Sequence, residues 1–401
     1  MKNQILVGLT IMTLMFAGCS MDEVSSINNS DANSIGFELS TGKTRAELVD
    51  IEALYRNANG FGVFATNGAS PATYIDNEAY KYENGAWKWA AISHNWPEKD
   101  TEYPVNFYAY FPADKTTLTT PSLAAQYTIA ESPAQQVDYL AANSVGVTSK
   151  PVSGDVLLKF NHILSKIDFK VITGSNVTVE VQSIAVRNVG NTGTFSFQSL
   201  LWASSPAKWE ASFSYLTAPV KDANKFAGRT DPKGADVSGS SGSLMLMPQN
   251  LSGRSWYPLP KKEETLHNLN ILSYIEVVYR VYETGNKNDL VGFSDASDHP
   301  DYTGGVTGPL FVKVGYPLPT NWEMGKAYTY TIHIGDGSSS GGNLIEKYFI
   351  DRNGEKTTLV VVYPGTNKPI EPPDPIFPKN NVIGFVVSVE DWNIQIVSPL
   401  L

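Results

Sequence analysis

The sequence predicts an all-β protein, and three observations support this prediction. Aromatic residues make up 11% of the chain, with 20 Tyr, 17 Phe and 8 Trp. Glycine and proline, 32 and 24 in number, interrupt the chain along its whole length. Short stretches of alternating apolar and polar residues lie between these interruptions. Chains that are rich in aromatic and turn residues and have this period are typical of β-sandwiches.

The N-terminus has the pattern of a secretory signal. Lys2 precedes an apolar run over residues 5–16, and the small residues Ala17 and Gly18 follow. The run is too short to cross a bilayer, which needs roughly 20 apolar residues. The next residue, Cys19, is the single cysteine of the chain. This arrangement resembles a bacterial lipobox, in which the cysteine receives lipid and becomes the first residue; the alternative is an ordinary signal with an incidental cysteine.

Composition limits the class of protein. A net charge of −10 and a pI near 5.1 argue against a nucleic-acid partner. With Cys19 used for lipid, no disulfide or thiolate chemistry is expected. The 401 residues less an 18-residue signal leave 383, a length that favours two domains. We expect a signal peptide at 1–18 and a flexible polar tether at 19–34.

The first strands follow this tether. Ile35, Phe37 and Leu39 alternate with small or polar residues, which predicts a short half-buried strand. Further strands are predicted at 61–65 and at 105–111, where Pro112 ends the second of them. Between them, Asn84-Gly85 predicts the turn of a hairpin over residues 80–89.

The rest of the chain continues as strands. They are predicted at 156–160, 161–171, 177–186, 193–197, 274–282, 310–316 and 328–334. Residues 204–243 are rich in loop-forming residues, 335–342 form a Gly/Ser linker, and 368–378 form an extended Pro-rich arm. The C-terminal stretch alternates at Ile383, Phe385, Val387 and Val389, changes phase at Glu390-Asp391, and resumes at Trp392, Ile394 and Ile396. A phase change of this kind indicates a bulge or break.

These motifs, taken in order, resemble the fimbrillin family, the pilin lipoproteins of Bacteroidetes type V pili. The resemblance rests on the lipobox, Thr44-Arg45-Ala46, Phe61 to Ala65, the Trp-rich hairpin, Trp96-Pro97, Phe107 to Pro112, Phe160 to Ile167, Leu244 to Gln249, Gly325 to Tyr330 and Phe385 to Trp392. It implies two tandem transthyretin-like Greek-key β-sandwich domains, which we place at 35–160 and 161–401. It also implies a structural subunit without enzyme activity, cofactor or metal, which is anchored as an outer-membrane precursor and then built into an extracellular adhesive fimbrium.

The resemblance further implies a maturation route. In the family an Arg-specific protease cuts between the first strand and the rest of the chain, and Arg45-Ala46 lies where that cut belongs. Arg56 is the alternative, and both arginines also suit plain solvated loops. The cut would release the strand that contains Ile35, Phe37 and Leu39. The C-terminal residues from Ile383 to Ile396 would then enter the open groove of another fimbrillin subunit, unless they are simply the last strand of the second domain.

Three other combinations of residues resemble functional sites. His162 beside Phe160 and Ile163 is interpreted as a hydrogen-bonded histidine at the edge of the core. Gly337 to Gly341 matches a hydrolase pattern by letter but lies in the Gly/Ser linker. Asp295, Asp298 and Asp301 form a solvated loop or a weak calcium site, with spacing that does not fit an EF-hand.

Three tryptophans leave a second function open. Trp87, Trp89 and Trp96 would form a sugar-stacking platform if they lay on the surface, as in a glycan-binding surface lipoprotein. Packing between strands is the other interpretation, because aromatic side chains of strands normally pair across a sheet.

Overall fold

The computed structural model describes residues 33–40, 57–68, 72–173, 177–203, 211–216, 225–227, 235–236, 242–251, 267–268, 272–283, 312–318, 321–334, 343–350, 356–363 and 383–391. The strands are β1 Gly36–Ser40, β2 Phe61–Asn67, β3 Ala72–Glu83, β4 Ala86–Trp89, β5 Val105–Phe111, β6 Ala124–Thr128, β7 Leu140–Val147, β8 Asp155–Lys159, β9 Asn161–His162, β10 Ser165–Thr173, β11 Val177–Val189, β12 Thr192–Ser196, β13 Leu201–Trp202, β14 Ala211–Leu216, β15 Lys225–Ala227, β16 Ala235–Asp236, β17 Leu244–Leu246, β18 His267–Asn268, β19 Tyr274–Glu283, β20 Val312–Pro317, β21 Lys326–Ile334, β22 Asn343–Ile350, β23 Lys356–Tyr363 and β24 Ile383–Asp391. Three short 3-10 turns lie at Asp100–Glu102, Ala113–Lys115 and Pro133–Gln135. The predicted all-β class is confirmed.

The first half of the chain forms a six-stranded sheet in the order β4-β3-β2-β5-β7-β9. The hairpin of β3 and β4 turns at Asn84 and Gly85, which both have positive φ angles of 54° and 82°. This is the conformation that an Asn-Gly turn favours, so the hairpin prediction is confirmed. β5 ends at Phe111, directly before Pro112, as predicted.

The second half forms a five-stranded and an eight-stranded sheet. One has the order β16-β10-β21-β24, with β17 also paired to β10. The other has the order β14-β11-β19-β20-β23-β22-β18, with β15 also paired to β11. β24 lies at the edge of its sheet and pairs antiparallel with β21, Ile383 opposite Ile334 and Asp391 opposite Lys326.

A small three-stranded sheet joins the two halves. β6, from the first half, pairs antiparallel with β12, and β13 pairs with the other side of β12. The strands β2 and β5 are buried on both faces. Phe61 and Phe107 belong to one cluster of buried side chains, and Phe64 and Tyr110 belong to a second cluster that extends to Ile334. The division into domains at residue 160 stays a prediction.

The structure differs from the prediction in the second half. The region 204–243, expected to be mostly loop, contains β14, β15 and β16. The strands β22 and β23 were not predicted. Of the helical segments that the structure describes, none has the length and apolar character to span a membrane.

Candidate functional site

The candidate site is the groove that β1 fills. β1 pairs in parallel with β8, Gly36 opposite Asp155 and Ser40 opposite Lys159, and these two strands form a sheet of their own. Within the described ranges, β8 is the one strand with which β1 pairs. Ile35, Phe37 and Leu39 are buried, which confirms the face predicted for this strand. β1 is therefore part of the core, although among the described strands only β8 forms a ladder with it.

Phe37 lies at the centre of the groove. Its ring is surrounded edge-on by the rings of Phe61, Tyr80, Trp89 and Phe107, at centroid distances of 6.0, 5.1, 5.6 and 5.7 Å. Edge-to-face pairs at these distances add about 0.5–1.5 kcal/mol each to the burial of the rings. Burial raises the pKa of the Tyr80 hydroxyl, which is consistent with a floor that excludes water.

The beginning of β1 is also fixed by backbone atoms. The Ile35 amide donates to the carbonyl oxygen of His94 at 2.7 Å, and the Trp96 amide donates to the carbonyl oxygen of Asn33 at 3.0 Å. The indole Nε1 of Trp89 donates to the carbonyl oxygen of Ile35 at 3.0 Å. These bonds determine the register of β1, because they join its first residues to a segment that follows the β3–β4 hairpin. Asn33, at the end of the predicted tether, takes part in them.

The outer face of the β1–β8 pair carries charge and an exposed apolar residue. Glu38 lies opposite Leu157, and Leu157 is 52% exposed. Asp155 lies opposite Gly36, two residues before Leu157 and on the same face of the pair. Burial and the carboxylate of Glu38 raise the pKa of Asp155 above its ordinary value. Glu38 therefore lies opposite an apolar side chain and near another acid, and neither of these neighbours stabilises a glutamate at this position.

The C-terminal strand, β24, belongs to a sheet of the second half of the chain. In β24, Ile383, Phe385, Val387 and Val389 lie opposite Ile334, Ile332, Tyr330 and Tyr328 of β21. Val389 is 50% exposed, and its neighbours Ser388 and Glu390 are exposed. Lys326 makes an ion pair with Asp391 at the last pair of the ladder. The strand ends where the sequence predicts a change of phase.

The tryptophans do not form a sugar-stacking platform. Trp87, Trp89 and Trp96 are only 3%, 7% and 2% exposed. Trp96 donates from Nε1 to the carbonyl oxygen of Gly154 at 3.1 Å. The platform hypothesis is wrong because all three rings are buried, and the packing interpretation is confirmed: Trp89 contacts Phe37, Trp87 contacts Phe61, and Trp96 contacts Phe107.

His162 is the hydrogen-bonded histidine that was predicted. Its side chain is 5% exposed, and Nδ1 lies 2.8 Å from Oδ1 of Asp138. Among the described residues, no group of three or more His, Cys, Asp or Glu could hold a metal ion.

Several predicted site residues lie outside the described part of the chain. They are Cys19, Arg45, Ala46, Arg56, Asp295, Asp298, Asp301, the 337–341 segment, the 368–378 arm, Trp392, Ile394 and Ile396.

Comparison with known proteins places the chain in a family. The fold and groove define an all-β protein whose first strand completes its core. A family described as fimbrillin-like matches residues 44–347, and the chain belongs to that family. It is 24% identical over 188 residues to the fimbrium subunit Fim1C of Phocaeicola vulgatus, a match that covers 40% of this chain. The chain spans about half, 48%, of the length of that curated relative.

A solved structure has the same fold. The crystal structure of a fimbrial protein from Bacteroides vulgatus superposes with a TM-score of 0.55 and 15% identity. The match covers 90% of this chain and 99% of the other. At this identity the likeness concerns the fold alone.

Proposed function

We propose that this chain is a subunit of an adhesive cell-surface fimbrium. It is delivered as a lipoprotein anchored through Cys19, trimmed by an arginine-specific protease, and joined to other fimbrillin subunits by strand exchange. The observation that carries this proposal is the position of β1. That strand supplies three side chains to the core, yet it pairs along only five residues, with a strand that has no other sheet partner in the described chain.

Lipid attached at Cys19 would hold the precursor in the outer membrane, since each buried methylene adds about 0.8 kcal/mol. The proposed cut after Arg45 lies five residues beyond Ser40, where β1 ends. After the cut, only non-covalent contacts would hold β1. Burial of its three apolar side chains is worth about 1.5–3 kcal/mol each. Ordering each residue of a free strand costs about 1–2 kcal/mol, so a severed strand can leave.

The departure of β1 would leave an apolar groove and an unpaired edge on β8. An exposed edge of this kind accepts a strand from another chain, the mode known as donor-strand complementation. The proposed donor is the C-terminal stretch that contains Ile383, Phe385, Val387, Val389, Trp392, Ile394 and Ile396. The Pro-rich residues 368–378 would let it extend outward as a semi-rigid arm. Repetition of this step would produce a polymer without any enzyme activity of the subunit.

The proposal is tested by replacing the predicted cleavage residue. In cells that express the full chain, Arg45→Ala should leave the whole lipoprotein in the membrane and abolish surface polymers. Arg56→Ala is the matched control and should assemble normally. N-terminal sequencing of wild-type polymers should begin at Ala46. Polymers that begin before residue 46, or normal polymers from Arg45→Ala, would contradict the proposal.

A further inference from the structure

The residues of β1 recur near the C-terminus. Residues 33–40 read Asn-Ser-Ile-Gly-Phe-Glu-Leu-Ser, and residues 381–388 read Asn-Val-Ile-Gly-Phe-Val-Val-Ser. Five of the eight positions are identical, and a sixth exchanges Leu39 for Val387. The apolar residues that β1 buries, Ile35, Phe37 and Leu39, thus correspond to Ile383, Phe385 and Val387.

We infer that residues 381–388 of a second copy of this chain occupy the groove in the register of β1, with Phe385 in the place of Phe37 and Val386 opposite Leu157. This inference rests on the proposed strand exchange and specifies which residues meet. The incoming strand would run parallel to β8, with Gly384 opposite Asp155 and Ser388 opposite Lys159. Its tightest contact would be Phe385 among Phe61, Tyr80, Trp89 and Phe107, the four rings that surround Phe37.

The two segments differ at three positions, and the exchange of Glu38 for Val386 favours the incoming strand. Position 38 is a glutamate that lies opposite the exposed Leu157 and near Asp155. A valine there removes a like-charge contact and covers the apolar side chain of Leu157, which pairs well with a β-branched residue. At this position the resident strand is therefore the weaker of two ligands for one groove.

The structure also makes the C-terminal segment available. Among the described strands β24 pairs with β21 alone, so its release breaks that one ladder. The side chains of Ser388, Val389 and Glu390 are exposed, so the end of the strand buries little. The ladder with β8 and the aromatic floor of the groove would replace what β24 loses.

Cysteine cross-linking tests the register directly. The chain has one cysteine, Cys19, which the proposed cut removes, so introduced cysteines would be the only ones in the polymer. Leu157→Cys and Val386→Cys, combined in the full chain, should give a ladder of disulfide-linked oligomers when surface polymers are oxidised. Leu157→Cys with Ser388→Cys is the control, because a shift of two residues along a strand, about 6.6 Å, separates the Cα atoms by more than a disulfide spans. A mixture of the two single variants should give linked dimers only.

The outcomes separate this inference from the proposed function. Polymers in which the 157–386 pair stays unlinked, or in which only the 157–388 pair links, would overturn the register while strand exchange stands. If wild-type chains form no strand-exchanged polymers, both fail.

A peptide measurement covers the case in which the cysteine variants do not assemble. A peptide of residues 381–390, added to chains cut at Arg45, should block polymer growth and change the tryptophan fluorescence of the chain, because Trp89 lines the groove. Phe385→Ala in the peptide should weaken binding about tenfold or more, and Val386→Glu should weaken it to the level of a peptide of residues 33–42. Equal binding of the Phe385→Ala peptide would overturn the inference.

Discussion

At the scale of single residues, Glu38 is the least favourable part of β1. Its neighbours on the outer face of the pair are Asp155, Leu157 and Lys159. Asp155 has a raised pKa, caused by burial and by Glu38. A carboxyl group whose pKa is raised by folding stabilises the fold while it is protonated, and that contribution is lost as the pH rises through the raised pKa. The β1–β8 pair should thus be held most firmly in acid.

We predict that Glu38→Gln stabilises the full chain at pH 7 by a few tenths of a kcal/mol, up to about 1 kcal/mol, because it removes a like charge from a partly exposed pair. The gain should shrink as the pH falls through the raised pKa of Asp155, because that carboxyl group then takes up a proton and no longer repels Glu38. Urea denaturation at several pH values measures both effects. Glu131→Gln makes the same change of charge at an exposed position and should be neutral. A gain that does not depend on pH would contradict this explanation.

The residues of β1 show how far the sequence alone could go. The alternation at Ile35, Phe37 and Leu39 predicts which face is buried, because side chains of a strand alternate between two faces. It does not predict that Phe37 meets Trp89, since those contacts depend on pairing between distant strands. The same limit explains why the sequence leaves both a sugar platform and packing between strands open for the tryptophans. The pattern at Trp87 and Trp89 indicates a shared face but does not tell which side of the sheet is covered.

At the scale of elements, the attachments of β24 include its ladder with β21 and an ion pair at the end of that ladder. Lys326 and Asp391 close the end of that ladder, and their hydrogen bond and mutual attraction raise the pKa of Lys326. Both side chains are about one-third exposed, at 35% and 36%, so the pair adds little to global stability. Its effect is local, because it restrains the last residue of β24, which directly precedes Trp392 in the sequence.

We predict that Asp391→Asn loosens this end of β24 without unfolding the protein. Hydrogen exchange of the full chain should become faster over residues 386–391, while β10 and β2 keep their protection. Glu390→Gln, at the neighbouring exposed position opposite Ala327, is the matched control and should exchange like the wild type. Unchanged exchange in Asp391→Asn would show that the ion pair does not restrain the strand.

Elements differed in how well the sequence predicted them. β5 was found to the residue, because Pro112 ends it and aromatic residues fill it. β22 and β23 were missed, although Asn353-Gly354 between two apolar runs is the signal of a hairpin. The groove could be predicted only in part, since the parallel pairing of β1 with β8 joins segments more than 100 residues apart in sequence. No local pattern specifies such a partner.

At the scale of the whole molecule, the sheet of β6, β12 and β13 couples the two halves. Phe195 of β12 is fully buried, and its ring lies 5.2 Å from that of Phe197 and 5.4 Å from that of Trp202. It lies opposite Ala125 of β6. Phe195 therefore lies against residues from both sides of the predicted domain boundary.

We predict that Phe195→Ala lowers the free energy of unfolding by about 3–5 kcal/mol, the usual cost of removing a buried aromatic ring. Because the halves share a core, hydrogen exchange should accelerate in β2 and β5 as well as in β10 and β21. Thr194→Ala, next to it on the half-buried side of the same strand, should have a small effect. If the loss of protection is confined to residues 165–334, the two halves fold independently.

The double burial of β2 and β5 has a mechanical consequence for a fibre built through the groove. Phe61 and Phe107 form the floor that would grip the strand of one neighbour, and Phe64 and Tyr110, on the reverse face of the same strands, belong to the core that contains Ile332 and Ile334 of β21. β21 is the strand from which β24 would depart to reach the other neighbour. A pull on the fibre would thus pass from the groove to β21 through packed side chains of the described chain. Within each subunit this path would resist tension stiffly, because packed protein interiors have low compressibility and transmit strain.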